Sequence, residues 1–267
     1  MSGRGMDSVV VRGRHLRLGY PGKVTLDHAD IDFARGDISC IVGGSGCGKS
    51  TLLKALVGLL EPLDGTVEVL GNDLYTMGES DRHALLKKTG VLFQNGALLN
   101  SLTIEENVMI PMREHTRVPE RIMQQTVRLK LRQVGLEYAG DMYPEQLSGG
   151  MKKRAALARA IALDPEVLYC DEPSAGLDPI TGAGLDQLLL DLRSVLKITI
   201  IVVTHELQSI RTIADRVVML APGRLVFSGG LREATEHPAP ELKAFFGRQA
   251  EKDEREMSMR DLLLEEP

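Results

Sequence analysis

The octapeptide Gly43-Gly44-Ser45-Gly46-Cys47-Gly48-Lys49-Ser50 constrains this chain more than any other feature. It has the form G-x-x-x-x-G-K-S and stands between an apolar run, Ile38–Val42, and a segment of helical pattern, Lys49–Leu60. The run is short and ends at glycines, as a strand buried on both faces does. The segment after it carries Leu52, Leu53, Leu56, Val57, Leu59 and Leu60, apolar almost all round, and so reads as a buried helix. Between such flanks, glycines let the backbone curl until successive N–H groups face one anion. The helix start adds its partial positive charge. The ligand this arrangement accepts is a phosphate chain, enclosed by residues 43–51 through Thr51. Lys49 is placed to reach the β- and γ-phosphates, and the Ser50 hydroxyl to ligate Mg²⁺. A glycine-rich turn with no ligand is the alternative, and both flanks argue against it. Cys47 lies inside the loop, so a bulky thiol reagent is expected to block the ligand, and the ligand to protect the thiol.

A second element supplies acids. Val167–Cys170 is an apolar run that ends in Asp171-Glu172. Taken alone it is a strand end with solvated carboxylates. Downstream of a phosphate loop, Asp171 becomes a candidate for the metal's coordination shell, through water, because Mg²⁺ sheds its hydration reluctantly. Glu172 then stands where a general base on the attacking water would, a role that contributes about 10²–10⁴-fold.

Organisation along the chain agrees with this. Residues 8–42 read as short strands punctuated by Tyr20-Pro21-Gly22, Asp27-His28 and Arg35-Gly36-Asp37. Residues 66–70 and 89–93 read as further strands. From about 95 to 164 helical stretches dominate, Glu120–Val134 and Met151–Leu163 among them. Strands then return at Val167–Cys170, Ile198–Val203 and Val217–Leu220. Between the first two lies Thr181–Leu196, whose leucines follow a helical stripe. Strands alternating with helices imply an α/β fold, a mainly parallel sheet covered on both faces, with the helical block inserted into it.

Leu147-Ser148-Gly149-Gly150-Met151 opens the second of those helices. Ser148 reads locally as a helix N-cap. In this order after the phosphate loop, the sequence resembles the ABC ATPase family, whose signature is Leu-Ser-Gly-Gly, most often followed by Gln. The resemblance covers about residues 8–235. It implies a P-loop NTPase fold: a RecA-like core (8–94 and 165–236), an antiparallel β subdomain, and an inserted α-helical subdomain (95–164), followed by a tail (237–267). It implies ATP and Mg²⁺ as ligands. It further implies that Ser148, Gly149 and Gly150 close on the γ-phosphate held by a second copy of the chain, sandwiching two nucleotides. Met151 departs from the common Gln.

Other family positions match residue by residue. Tyr20 falls where the family places an aromatic against adenine; a strand tyrosine packed on its own lobe is the alternative. Gln94 matches a glutamine that contacts metal and attacking water. Asp178, in Ser174-Ala175-Gly176-Leu177-Asp178, matches a loop that crosses between copies, with Gly176 as an extra residue. His205, after Ile198–Val203, matches a histidine that contacts the γ-phosphate. Three further features, Phe93-Gln94-Asn95-Gly96-Ala97-Leu98, Arg113-Glu114-His115-Thr116 and the Met151 variant, are similar to the Mla-type phospholipid-transport ATPases. For the 113–116 segment a solvated charged turn is the alternative. That resemblance implies phospholipid transport between inner and outer membranes. The implied partners are integral membrane permease subunits, a small cytoplasmic regulatory subunit and an MCE-type lipid-binding protein. The implied location is the cytoplasmic face of the inner membrane.

Composition narrows the rivals. A formal charge of -5 argues against bulk nucleic-acid binding. The three cysteines are scattered and make no metal-ligand spacing, which fits a reducing compartment. No apolar run approaches the roughly 18 residues of a membrane span, and the N-terminus lacks an apolar segment of signal-peptide length. ABC ATPases acting on nucleic acid usually carry two cassettes, zinc-binding cysteines or a long coiled coil. A cassette for another small-molecule cargo remains a competing reading. The apolar residues Leu242, Phe245, Phe246, Met257, Met259 and Leu262–Leu264 either pack on the parent domain or make the tail a docking segment for the second copy or a small regulatory partner; disorder of the last turns is the alternative.

Overall fold

The structure is a computed structural model and describes residues 9–247. The chain begins with β1 (Val9–Tyr20), β2 (Lys23–Ala34) and β3 (Ile38–Gly43), then α1 (Lys49–Leu56), β4 (Asp64–Val69) and β5 (Asn72–Asp73). Next come α2 (Glu79–Leu86), β6 (Thr89–Leu92) and three helices, α3 (Ile104–His115), α4 (Glu120–Gln133) and α5 (Gly149–Ala160). The second half runs β7 (Val167–Asp171), α6 (Pro179–Leu196), β8 (Thr199–Val203), α7 (Leu207–Ile213), β9 (Arg216–Ala221) and β10 (Arg224–Gly230). The described residues end with α8 (Leu231–Glu236) and α9 (Pro240–Gly247).

Two sheets result. One is antiparallel, in the order β2-β1-β4-β5. The other has the order β10-β9-β3-β8-β7-β6, with β9, β3, β8, β7 and β6 parallel and β10 antiparallel at one edge. The backbone of Asp27 donates to Gly223 O at 3.0 Å and joins the sheets. α3, α4 and α5 all lie between β6 and β7 in the chain and pack on one another. This is the expected α/β architecture: a parallel core, an antiparallel sheet and an inserted helical block.

The central strands are apolar without alternation because both of their faces are covered. Ile38, Cys40 and Val42 of β3 face one core, shared with Leu168 and Cys170 of β7 and Ile200 and Val202 of β8. Ile41, Val167, Tyr169, Ile201 and Val203 face the other, closed by α1 and the antiparallel sheet. Burial pushes the Cys170 thiol up to about 12, so it stays a neutral apolar group.

Two expectations needed adjustment. The sequence between 8 and 34 predicts short strands, yet β1 and β2 are 12 residues each. Asp27-His28 is absorbed as a bulge: His28 takes a left-handed φ of 48°, and the register shifts between Leu16↔Ala29 and Leu18↔Leu26. The helix predicted over Lys49–Leu60 stops at Leu56. Gly58 turns left-handed at φ 80°, and the Tyr75 hydroxyl lies 2.6 Å from Leu60 O, holding the chain that leaves the helix.

Candidate active site

β3 delivers the phosphate loop. Gly43, its last residue, has φ 148°, and a Cβ there would meet Leu220 O at 2.3 Å and Cys47 Sγ at 2.6 Å. No side chain fits, so the loop can curl only with glycine at this point. Gly44, Ser45 and Gly46 are exposed, and Gly48 caps α1, whose first turn carries Lys49, Ser50 and Thr51. Lys49 Nζ folds back over the loop and donates to Gly43 O (2.9 Å) and Gly44 O (3.0 Å). The Cys47 side chain is 1% exposed and belongs to the core, which corrects the expectation for its thiol. The residue still borders the phosphate-loop cavity, but a bulky thiol reagent reaches its covered sulfur only if the loop opens.

β7 and β8 deliver the acids and the histidine. Glu172 follows β7 with a left-handed φ of 47°, a conformation that costs a non-glycine residue about 1–2 kcal/mol. Its N–H donates to Val203 O at 2.8 Å, so the last residue of β8 fixes the turn. His205 Nδ1 lies 2.9 Å from Glu172 Oε1. Glu172 Oε2 is buried and has no hydrogen-bond partner, the arrangement of an acceptor reserved for a ligand or water. The phosphate loop, Lys49, Glu172 and His205 line one cavity of about 1010 Å³, together with Met219–Pro222 and the α9 residues Glu241, Ala244 and Phe245.

Asp171 sits half-buried beside Glu172. Desolvation holds its carboxyl above the usual range, the Glu172 carboxylate adds to this, and Lys54, Lys153 and Lys49 oppose it. A divalent cation would relieve that crowding. Among the described residues no three His, Cys, Asp or Glu side chains form a self-contained metal cage. Asp171 and the Ser50 hydroxyl are oxygen donors of the kind that Mg²⁺ accepts.

The remaining predicted residues lie elsewhere. Tyr20 ends β1 at 44% exposure in the hairpin that leads to Thr25, whose backbone lies 3.2 Å from a Cβ built on Gly48. Gln94 follows β6 with its side chain exposed. Ser148 caps α5 as expected, accepting from Met151 N at 3.3 Å. Asp178 caps α6, accepting from the N–H groups of Ile180 and Thr181 and from the Thr181 hydroxyl, which hold its carboxyl below the usual range. The Ser148–Gly150 turn lies against this cap: Cβ atoms built on Gly149 and Gly150 meet Leu177 and Thr181. Neither Ser148–Gly150 nor Asp178 lines the phosphate-loop cavity of its own chain.

Two residues escaped sequence reasoning. Lys153 donates from α5 to Gln94 O and, at 3.1 Å, to Glu172 O. Arg159, a turn and a half further on, donates to Ala97 O and Gly96 O, both at 2.7 Å. Desolvation lowers the pKa of each.

A parallel sheet with a phosphate loop after one strand and paired acids after another defines a P-loop ATPase. The family model described as "ABC transporter" matches residues 26–175. The intermembrane phospholipid transport system ATP-binding protein MlaF of Escherichia coli (strain K12) is 39% identical over 219 residues, 82% of this chain and 81% of that one. The probable ribonucleotide transport ATP-binding protein mkl of Mycobacterium leprae (strain TN) is 36% identical over 271 residues, 98% of this chain and 78% of that one. Among solved structures, cbiO1 from Clostridium perfringens, part of the ABC transporter complex cbiONQ, superposes with a TM-score of 0.78 at 26% identity. It covers 96% of this chain and 97% of its own. A dimeric bacterial ABC transporter cassette, MJ0796, gives 0.76 at 29% identity, covering 83% of this chain and 99% of its own. The chain belongs to the ABC transporter family, as a subunit that binds and hydrolyses ATP. Among the described residues no helix is long and apolar enough to cross a membrane.

Proposed function

We propose that the chain drives phospholipid transport between inner and outer membranes, working as a pair of copies beneath membrane-spanning permease subunits. The observation that carries the catalytic part is the cavity in which the phosphate loop, Lys49, Glu172 and His205 meet. The cargo rests on the likeness to relatives named for intermembrane phospholipid transport. A relative named for ribonucleotide transport makes nucleotide cargo the competing reading.

In this reading the N–H groups of residues 43–51 and Lys49 bind the triphosphate, and Tyr20 covers the adenine. Ser50, Gln94 and Asp171 hold Mg²⁺, which when bound offsets charge on the phosphate oxygens. Glu172 Oε2 accepts the proton of the attacking water, and His205 orients that carboxylate through Oε1. Ser148, Gly149 and Gly150 of one copy cover the γ-phosphate held by the other, where the helix N-terminus supplies N–H donors, and Asp178 crosses between copies. MJ0796, seen as a dimer, supports the pairing.

A second cavity, of about 580 Å³, runs along the seam between the parallel sheet and the helical block, lined by Leu86, Val91, Phe93, Ala97, Ile110 and Pro111. Its mixed apolar floor and its contact with the loop after Gln94 fit a short helix of a permease subunit. Such a partner places the chain at the cytoplasmic face of the inner membrane. A small regulatory subunit and an MCE-type lipid-binding protein complete the proposed assembly.

The test is purification from detergent extracts with whatever membrane partner copurifies, followed by ATPase and lipid analysis. Bound phospholipid, and ATPase activity abolished by Glu172→Gln with ATP still bound, are expected. Stimulation by ribonucleotides with no lipid present would favour the competing cargo.

A further inference from the structure

Lys153 is only 8% exposed and stands about one turn into α5, on the inner side of the helix. Burying an ammonium is costly unless its protons find acceptors. Here they find two backbone carbonyls, those of Gln94 and Glu172, the residues just beyond β6 and β7. These strands are neighbours, with Leu92 paired to Cys170; Gln94 lies two residues past the end of β6 and Glu172 one residue past the end of β7. Among the described residues, no carboxylate lies within salt-bridge distance of Lys153, so the cation leaves Glu172 Oε2 unoccupied.

The placement links three parts of the site. α5 begins at the Ser148 cap, so a rigid shift of this helix moves Ser148 and Lys153 together. Lys153 in turn grips the backbone of Glu172 where it is in the left-handed conformation, and the direction of the carboxylate depends on that backbone. We infer that Lys153 is a positioning residue for hydrolysis: it ties the helix bearing Ser148 to the backbone at Gln94 and Glu172, so that docking of α5 on a second copy's nucleotide sets the carboxylate for proton abstraction. The inference rests on the assignment of Glu172 as general base.

The experiment compares Lys153→Met, which removes the donors, with Lys153→Gln, which keeps an amide able to donate twice, in the full chain. Steady-state ATPase, binding of a fluorescent ATP analogue and thermal stability are measured for each. Lys153→Met is expected to lower kcat by about 10- to 100-fold, part of what a positioned base contributes, while KM and analogue affinity stay near wild type. Lys153→Gln is expected to recover most of the loss. Wild-type kcat in folded Lys153→Met would overturn the inference, as would equal losses of kcat and analogue affinity. If Lys153→Met does not fold, Lys153→Gln decides: a kcat near wild type supports the role of the donors, and a large loss at unchanged stability refutes it. Glu172→Gln, run in parallel, separates the two claims. Full turnover in Glu172→Gln means that the base assignment has failed; an inactive Glu172→Gln beside a fully active Lys153→Met means that the positioning role has failed.

Discussion

Gly149 and Gly150 are adjacent in sequence, yet the structure assigns them different responses to alanine. A Cβ on Gly149 would lie 3.6 Å from Leu177 Cδ2, an ordinary contact. A Cβ on Gly150 would lie 2.4 Å from Thr181 Cγ2. Thr181 has little room to give, because its hydroxyl and its N–H are both bonded to Asp178. Gly149→Ala, at the first position of α5, should therefore be close to neutral in stability. Gly150→Ala overpacks α5 against α6, which costs about 1–3 kcal/mol. Thr181→Ser removes the clashing methyl and keeps the hydroxyl, so it should rescue Gly150→Ala with a coupling energy of about 1–2 kcal/mol. Urea denaturation of wild type, the two alanine variants, Thr181→Ser and the Gly150→Ala/Thr181→Ser pair measures this; at about 2–4 °C per kcal/mol, thermal melts should resolve it too. Equal stability for the two alanine variants, or additive behaviour of Gly150→Ala and Thr181→Ser, would refute the packing argument.

Two further expectations concern buried polar groups. Tyr169 is fully buried with an unpartnered hydroxyl, so Tyr169→Phe should stabilise the chain by about 1–2 kcal/mol in the same assay; a loss of stability would contradict this. Asp186 is 4% exposed, and burial raises its pKa, helped by Glu206 and opposed by a hydrogen bond from Ser209. A raised folded pKa means that stability is full at low pH and is lost as pH rises through that value. Asp186→Asn should thus be more stable than wild type at neutral pH, and the gain should vanish in acid; a gain independent of pH would contradict the assignment.

The phosphate loop, the Asp171-Glu172 strand end and the Ser148 cap were legible because each is a short stretch whose chemistry depends on its immediate neighbours. The two-faced burial of β3, β7 and β8 was legible from runs without alternation. Long-range partners were not. Lys153 and Arg159 look in sequence like the solvated side of a helix, and only the fold reveals that their acceptors are carbonyls beyond β6 and β7. The direction of Cys47 was hidden because a loop residue can turn either way. Asp186 did leave a trace: it interrupts the Leu185, Leu188, Leu189 stripe of α6 on the side that becomes buried. Leu242 and Phe246 pack in the core as part of α9, whereas Met257, Met259 and Leu262–Leu264 lie outside the described residues.

The account stands on a pocket that one chain leaves unfinished, and mixing two inactive variants tests it directly. Ser148→Arg spoils what a chain offers its neighbour, and Glu172→Gln spoils what it does for itself. Each variant alone should be inactive. Combined in equal amounts, they should pair at random and recover about a quarter of the wild-type ATPase rate, because a mixed pair contains one intact composite site. A mixture no more active than its components, or full activity in Ser148→Arg alone, would show that hydrolysis does not require a second copy.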